Sequence, residues 1–147
     1  MSNFKFTFLL TALVLVLGGV TAANAQFGFA TALKVHIPNE FVVENKVFPA
    51  GDYTIAPTEN LADSSSLLIL RGEKRSMVFD TISASSTEPS KTTRLIFDVV
   101  DGTNYLSQIW LQGEITGMEI PKSKFEKRLI AANKSMPQVV VPTSTDF

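Results

Sequence analysis

Segments in which apolar and polar residues alternate follow one another along most of the chain. In Thr31–Ile37 the apolar residues Leu33, Val35 and Ile37 are separated by polar ones, and this period of two is typical of a strand with one buried face. Comparable runs rich in β-branched and aromatic residues predict further strands. These lie at Phe41–Val43, Val47–Phe48, Tyr53–Ala56, Leu67–Arg71, Ser76–Ile82, Thr93–Val100, Tyr105–Leu111 and Met118–Ile120.

Turn residues separate the predicted strands. Asp101-Gly102 is the strongest hairpin signal, and Glu44–Lys46 and Gly72–Arg75 are short polar turns. Two longer polar segments, Ala56–Ser66 and Ser83–Thr92, predict loops. If the strands from Tyr53 to Leu111 form a simple meander, both long loops lie at the same pole. Binding residues concentrate in loops held by a rigid scaffold, so this long-loop pole is the predicted site.

One helix is predicted near the end of the chain, from Ser123 or Lys124 to Ala132. Ser123-x-x-Glu126 fits a capping box, and Phe125 and Leu129 would form one apolar stripe. Pro137 and Pro142 then flank Gln138–Val141, a candidate edge strand.

The pattern as a whole predicts a mainly β protein. Many short strands joined by turns indicate an antiparallel β-sandwich or a small β-barrel, here with one C-terminal α-helix. We expect a single domain over residues 26–134, followed by a tail over residues 135–147 that is flexible or forms an edge strand.

The first 25 residues predict a secretory signal peptide. Lys5 precedes the apolar run Phe6–Val20, and Ala23-Asn24-Ala25 is a small-residue cleavage motif. The alternative is an uncleaved anchor, but a spanning helix needs about 20 apolar residues and this run is shorter. We therefore expect a mature chain that begins at Gln26, contains no transmembrane segment and is exported to the periplasm or the medium.

Composition excludes several classes of function. The chain has 13 Lys and Arg, 14 Asp and Glu, one His and no Cys. A net charge near zero argues against a nucleic-acid partner, which requires a basic face. The absence of Cys excludes disulfides, thiolate zinc sites and a cysteine nucleophile. The chain also contains neither a Gly-x-Ser-x-Gly elbow nor a phosphate-binding loop. We expect no catalytic residues, no metal, no cofactor and no enzymatic activity.

Two pairs of carboxylates are candidates for a general acid and base. These are Asp98 with Asp101, and Glu114 with Glu119. Asp101 is better explained by its turn, and strand alternation could point Asp98 outward. The lone His36 and the basic residues of the helix are expected to be solvated surface residues.

Tyr53, Tyr105 and Trp110 are the candidate ligand-binding residues. Aromatic rings with a polar atom could line a pocket or a sugar-stacking face, although such residues also serve as core positions whose polar tip reaches the surface. Tyr105 and Trp110 are five positions apart, so in a regular strand they would face opposite sides of the sheet.

An ordered set of motifs resembles a family of small exported proteins of unknown function from soil bacteria. The resemblance spans about Val35 to Ala132, and Asn39 stands where that family often has Phe. The motifs are Ile37-Pro38-x-x-Phe41, Phe48-Pro49-Ala50-Gly51-x-Tyr53-Thr54, Tyr105-Leu106-x-x-Ile109-Trp110 and Gly117-x-Glu119-Ile120-Pro121-x-Ser123. The resemblance implies an exported β-rich domain and no particular activity or site residues.

Together these features predict a non-enzymatic exported protein. Its partner is expected to be a small ligand or an envelope component, bound at the long-loop pole or, for a small ligand, in an apolar barrel interior. The alternative is a structural or interaction protein of the cell envelope that pairs through an edge strand such as Gln138–Val141.

Overall fold

The computed structural model describes residues 32–58, 66–132 and 137–143. The predicted signal peptide, residues 59–65 of the first long loop and the ends of the predicted tail lie outside the described residues. Eleven strands and one helix form the secondary structure of the described part. They are β1 (Leu33–Ile37), β2 (Phe41–Val43), β3 (Lys46–Phe48), β4 (Gly51–Pro57), β5 (Leu67–Gly72), β6 (Ser76–Asp80), β7 (Ile82–Ser85), β8 (Arg94–Val100), β9 (Thr103–Trp110), β10 (Thr116–Glu119), α1 (Lys124–Ala132) and β11 (Gln138–Pro142).

The strands form two sheets. Sheet 1 has the order β1-β4-β5-β6 and is antiparallel throughout. Sheet 2 has the order β11-β8-β9-β10-β7, and the β2–β3 hairpin joins it through a parallel pairing of β2 with β9. The two sheets do not close into a barrel, so the sandwich is the correct member of the predicted pair of architectures.

The core lies between the sheets and contains the apolar rows of both. β1 shows the predicted alternation, since Leu33, Val35 and Ile37 are buried and the residues between them are exposed. Phe41 sits at the centre of an aromatic group, with ring centroids 5.5 Å from Phe48, 5.2 Å from Tyr53 and 5.7 Å from Phe97. Edge-to-face and offset ring pairs at these separations stabilise a core beyond simple area burial.

Two predicted hairpin turns have the backbone that tight hairpins require. Asp101 and Gly102 have φ of 51° and 74°, and Glu44 and Asn45 have φ of 46° and 72°. Positive φ at both central residues is the type I′ geometry that matches the twist of paired strands. Lys46, which was assigned to the turn, instead begins β3.

The predicted meander was wrong, because the chain changes sheets at Thr81. Ser76–Ile82 was predicted to be one strand, but β6 ends at Asp80 and β7 begins at Ile82 in sheet 2. The buried Thr81 holds this corner, since its N–H and its hydroxyl both donate to the Ser66 carbonyl at 2.8 Å. The first residues of the predicted loop Ser83–Thr92 therefore belong to β7, which pairs with β10.

The helix begins where the capping box predicts. The Ser123 hydroxyl accepts a hydrogen bond from the Glu126 N–H at 3.0 Å, and the Glu126 carboxylate accepts one from the Ser123 backbone. The predicted apolar stripe was wrong for Phe125, which is 58% exposed. Leu129 and Ile130 instead cover the small cluster of Val42, Val100 and Tyr105 on the outer face of sheet 2. Among the described residues, no helix has the length and hydropathy needed to cross a membrane.

Candidate functional site

The structure separates the three candidate aromatic residues. Tyr53 belongs to the core between the sheets, and its hydroxyl donates to the Pro49 carbonyl at 2.6 Å. Burial raises the pKa of Tyr53, and the charge of Arg75 offsets part of that rise. Tyr53 is thus a core residue whose polar tip is satisfied by the backbone.

Tyr105 and Trp110 lie on the same outer face of sheet 2, which corrects the prediction that they face opposite sides. Tyr105 is paired with Asp98 and Trp110 with Arg94, and partners in an antiparallel ladder share a face. The register shifts next to Phe97, where Ser107 forms an extra, unpaired residue in β9. This bulge reverses the alternation of side chains along the strand. The two rings are still separated by roughly 13 Å, at about 3.3 Å per residue along β8.

Trp110 forms one wall of a cleft beside the predicted second loop. This loop cleft has a volume of about 180 Å³ and is lined by Ser86, Glu88, Pro89, Ser90, Lys91, Arg94 and Trp110. The indole N–H donates to the Gln108 side chain at 2.9 Å, which fixes the orientation of the ring. Trp110 is therefore the predicted ligand-binding residue that lines the cleft beside the second long loop, whereas Tyr53 lines a separate cleft between β1, β4 and the end of β11.

The loop is held in place by backbone hydrogen bonds to the connection between β9 and β10. Ser90 donates to the Glu114 carbonyl at 2.9 Å and accepts from the Gly113 N–H at 2.8 Å, and the Ser86 N–H donates to the Ile115 carbonyl at 2.8 Å. The Ser90 hydroxyl also bonds the Thr92 carbonyl. These bonds give the cleft a rigid rim, which favours a preformed site.

Arg94 lines the loop cleft, and its side chain has an unpartnered atom that the sequence does not reveal. Its Nε atom is buried and has no hydrogen-bond partner among the described residues. Guanidinium groups remain charged at all relevant pH values, and a buried donor without a partner is costly. Arg94 therefore brings a cation to the lining of the cleft next to Trp110, and its buried Nε is a donor without a partner among the described residues.

A second polar cluster, the Asp98 cluster, lies on the same outer face near α1. Asp98 is 2% exposed, and its carboxylate accepts hydrogen bonds from Lys122 Nζ at 2.6 Å and from Gln138 Nε2 at 2.9 Å. Ser107, in the bulge, bonds the same carboxylate, and Lys122 Nζ also lies 4.0 Å from Glu126 Oε1. Burial by itself raises the pKa of Asp98, but these hydrogen bonds and the Lys122 charge outweigh it and lower the pKa.

The Asp98 cluster connects elements that are distant in sequence, and it gives Asp98 partners other than Asp101. Asp101 sits in its exposed turn and Glu114 is exposed, so neither forms an acid–base pair with its predicted partner. Asp98 does point outward from the core, as alternation suggested, but β11 and the residues before α1 cover it. The cluster has no adjoining cleft among those found in the described part, and we interpret it as structural.

The stability of a Glu126 variant tests the structural role of the Asp98 cluster. Burial raises its pKa, and the charge of Asp98 adds to that rise, while Lys122 and the Ser123 N–H oppose it. A carboxyl group with a raised folded-state pKa stabilises the fold below its unfolded pKa, and that contribution is lost as the pH rises through the folded value. Glu126→Gln keeps the capping box, so urea unfolding at pH 7 should show a variant more stable by roughly 0.5–1 kcal/mol.

The extra stability of Glu126→Gln over the native chain should decrease as the pH approaches 4, because Glu126 itself becomes protonated there. Glu119→Gln is a matched control, since Glu119 lies in β10 and its side chain is only partly buried. Equal stabilities of Glu126→Gln and the native chain at both pH values would contradict the prediction.

The remaining polar groups give no metal site. Within residues 32–58, 66–132 and 137–143, no three His, Asp or Glu side chains lie close enough to hold a metal ion. His36 Nδ1 bonds Asp52 Oδ1 at 2.7 Å on the outer face of sheet 1, and both side chains are exposed.

Comparison of the chain with protein-family models, with curated proteins and with solved structures gave no match.

Proposed function

We propose that this is an exported, non-enzymatic protein that binds a small anionic ligand in the loop cleft. The observation that carries the proposal is the buried Arg94 Nε atom, which lacks a partner among the described residues and belongs to a residue lining the cleft. Export is proposed from the signal-like segment Met1–Ala25.

The charges around the loop cleft favour an anion. Arg94 and Lys91 line it with two cations, against the single carboxylate of Glu88. A carboxylate or phosphate group could accept from Arg94 in a charge-assisted hydrogen bond, and the Ser86 hydroxyl, which accepts from the Glu88 N–H, offers a further donor. The Arg94 guanidinium thus recognises the negative charge of the ligand.

The volume of the loop cleft and the Trp110 ring in its wall restrict the size and shape of the uncharged part of the ligand. A volume of about 180 Å³ corresponds to about six water molecules at roughly 30 Å³ each. The Trp110 ring is 6% exposed and adds a small apolar part to the wall, and its own N–H is already bonded to Gln108. A ligand with one anionic group and a small planar body fits these features best.

Benzoate and its neutral counterpart benzamide test the proposal. We expect benzoate to shift the indole NMR resonance of Trp110, the single tryptophan of the chain, and to bind about tenfold more tightly than benzamide. Arg94→Gln should remove this difference, because a hydrogen bond to a charged group contributes about 1.5–3 kcal/mol and 1.4 kcal/mol is tenfold in affinity.

Arg71→Gln is the matched control, since Arg71 is an exposed arginine of sheet 1 and lies outside the loop cleft. Thermal unfolding of both variants verifies that they fold. If benzoate and benzamide bind equally, or if Arg94→Gln leaves benzoate affinity unchanged, the proposed function is wrong.

A second candidate function is that of an envelope interaction protein that pairs through β11. The observation that favours it is the position of β11 at the end of sheet 2, where it pairs only with β8 among the described strands. Val139 and Val140 are 37% and 53% exposed on this strand. A strand edge with exposed apolar residues can accept a strand from another chain.

A further inference from the structure

The loop cleft is lined by charged groups of both signs, and these groups do not pair with one another. Glu88 contributes a carboxylate, and Lys91 and Arg94 contribute two cations. The Glu88 carboxylate forms no ion pair or hydrogen bond with either cation, or with any other side chain in the described part of the chain. The negative and the positive groups are therefore both available to a ligand.

The backbone that carries Glu88 is anchored on both sides. The Glu88 N–H donates to the Ser86 hydroxyl at 3.3 Å. Before it in the chain, the Ser86 N–H donates to the Ile115 carbonyl, and after it the Ser90 N–H donates to the Glu114 carbonyl. These bonds hold the residue beside the connection between β9 and β10, while its exposed side chain remains accessible to a ligand.

The Arg94 guanidinium lies on a more rigid element. Arg94 is the first residue of β8, its side chain is partly buried, and its ladder partner is Trp110. Besides the unpartnered Nε, no atom of this group bonds a residue within 32–58, 66–132 or 137–143. One cation of the cleft is thus carried by the sheet, whereas the carboxylate is carried by the loop.

The volume of the loop cleft limits the distance between two charges of a ligand. A sphere of about 180 Å³ is about 7 Å across. A charge-assisted hydrogen bond spans about 2.7–2.9 Å at each end. A ligand atom bonded to Glu88 and one bonded to Arg94 are therefore expected to lie only a few ångströms apart. The ammonium and carboxylate groups of an α-amino acid, which share one carbon atom, meet this requirement.

Glu88 distinguishes a zwitterion from a ligand that carries only negative charge. A second anionic group in so small a cleft would lie close to the Glu88 carboxylate, and like charges repel at short range. An ammonium group is attracted by Glu88 but repelled by Lys91 and Arg94, so its binding depends on Glu88. One carboxylate against two cations thus selects ligands by attraction and by repulsion together.

We infer that the loop cleft binds a small α-amino acid, with the ligand carboxylate on Arg94 and the ligand ammonium on Glu88. Lys91 adds a second cation for the ligand carboxylate. This inference rests on the proposed function and names the chemical class of its anionic ligand.

Phenylglycine and phenylacetate test the inference, because they differ only in the ammonium group. Each is titrated while the indole NMR resonance of Trp110 is observed, with the two enantiomers of phenylglycine measured separately. We expect the tighter enantiomer to bind about threefold more tightly than phenylacetate, since exposed ion pairs contribute up to about fivefold in affinity. In Glu88→Gln this order should reverse, because Lys91 and Arg94 then repel the ammonium without compensation.

Glu73→Gln is the matched control. Glu73 is an exposed carboxylate in the turn between β5 and β6, outside the loop cleft, so its replacement should leave both affinities unchanged. Arg94→Gln should weaken both ligands, because both present a carboxylate. Thermal unfolding verifies that the three variants fold.

The outcomes separate this inference from the proposed function. If phenylacetate binds through Arg94 but phenylglycine binds no more tightly, or if the preference for phenylglycine survives in Glu88→Gln, the amino-acid inference is wrong and the anion site stands. If neither compound binds, or if Arg94→Gln leaves both affinities unchanged, the inference and the proposed function are both wrong. A preference that reverses in Glu88→Gln and persists in Glu73→Gln supports the inference.

Discussion

Lys122→Met is expected to lower the free energy of unfolding by about 3 kcal/mol at pH 7. Lys122 is the cation of the Asp98 cluster, and its Nζ lies 2.6 Å from Asp98 Oδ2. The variant leaves a carboxylate that is 2% exposed without its charged partner. Removing one partner of a buried ion pair typically costs about 3–5 kcal/mol, and we take the lower end because the Lys122 side chain is 23% exposed. Urea unfolding at pH 7 measures the loss.

The pH dependence of this loss distinguishes the ion pair from the packing of the lysine chain. The pKa of Asp98 is lowered in the folded protein, so its contribution is present above the unfolded pKa and is lost as the pH falls through the folded value. In Lys122→Met the folded pKa should rise, because burial then acts with less compensation. The difference between the variant and the native chain should therefore narrow as the pH is lowered below about 4.

Lys124→Met is the matched control, since Lys124 is an exposed lysine two positions away. It should change stability by less than about 0.5 kcal/mol. A Lys122→Met effect as small as that of the control would contradict the role of the cluster. An effect of constant size from pH 7 to pH 3 would assign it to packing.

The elements that the sequence predicts well are those specified by local physics. Alternation identifies β1, the Asp101-Gly102 pair identifies its hairpin, and Ser123 with Glu126 identifies the start of α1. In each case the residues that carry the signal are neighbours along the chain, so no knowledge of distant partners is needed. The Gln138–Val141 segment also forms the edge strand that its pattern suggested.

The errors in the fold arise where a distant partner decides the local structure. Ser76–Ile82 reads as one strand, but the Ser66 carbonyl holds Thr81 at a corner between the sheets. The bulge at Ser107 reverses the face of every later residue in β9, and it coincides with a hydroxyl that serves Asp98. Neither contact has a signature in the local pattern.

The candidate sites likewise contain some residues that the local sequence identifies and others that only distant contacts identify. Trp110 and the second loop could be selected in advance, because aromatic residues and polar loops are visible in the sequence. Arg94 could not, since its importance comes from an unpartnered atom beside the loop. Asp98 and Lys122 are 24 positions apart and Asp98 and Gln138 are 40 apart, so pairing across sheet 2 is what assembles that cluster.

Gly72→Ala is expected to destabilise the protein by about 2 kcal/mol. Gly72 is the ladder partner of Tyr53, and a Cβ at Gly72 would lie 2.5 Å from an atom of the Tyr53 ring. The ring cannot move aside cheaply, because its hydroxyl bonds the Pro49 carbonyl and the ring packs in edge-to-face geometry with Phe41 and Phe48. Overpacking of this kind costs about 1–3 kcal/mol and outweighs the smaller entropic advantage of alanine over glycine. Thermal and urea unfolding measure the change.

A double-mutant cycle with Tyr53→Leu assigns this cost to the ring. Leucine removes the aromatic atoms that the new Cβ would meet, so Gly72→Ala in that background should cost at least about 1 kcal/mol less than in the native chain. The backbone of Gly72 is not in the left-handed region, so alanine should then fit the strand and recover part of its entropic advantage. The same cost in both backgrounds would show that the backbone, and not Tyr53, requires glycine at this position.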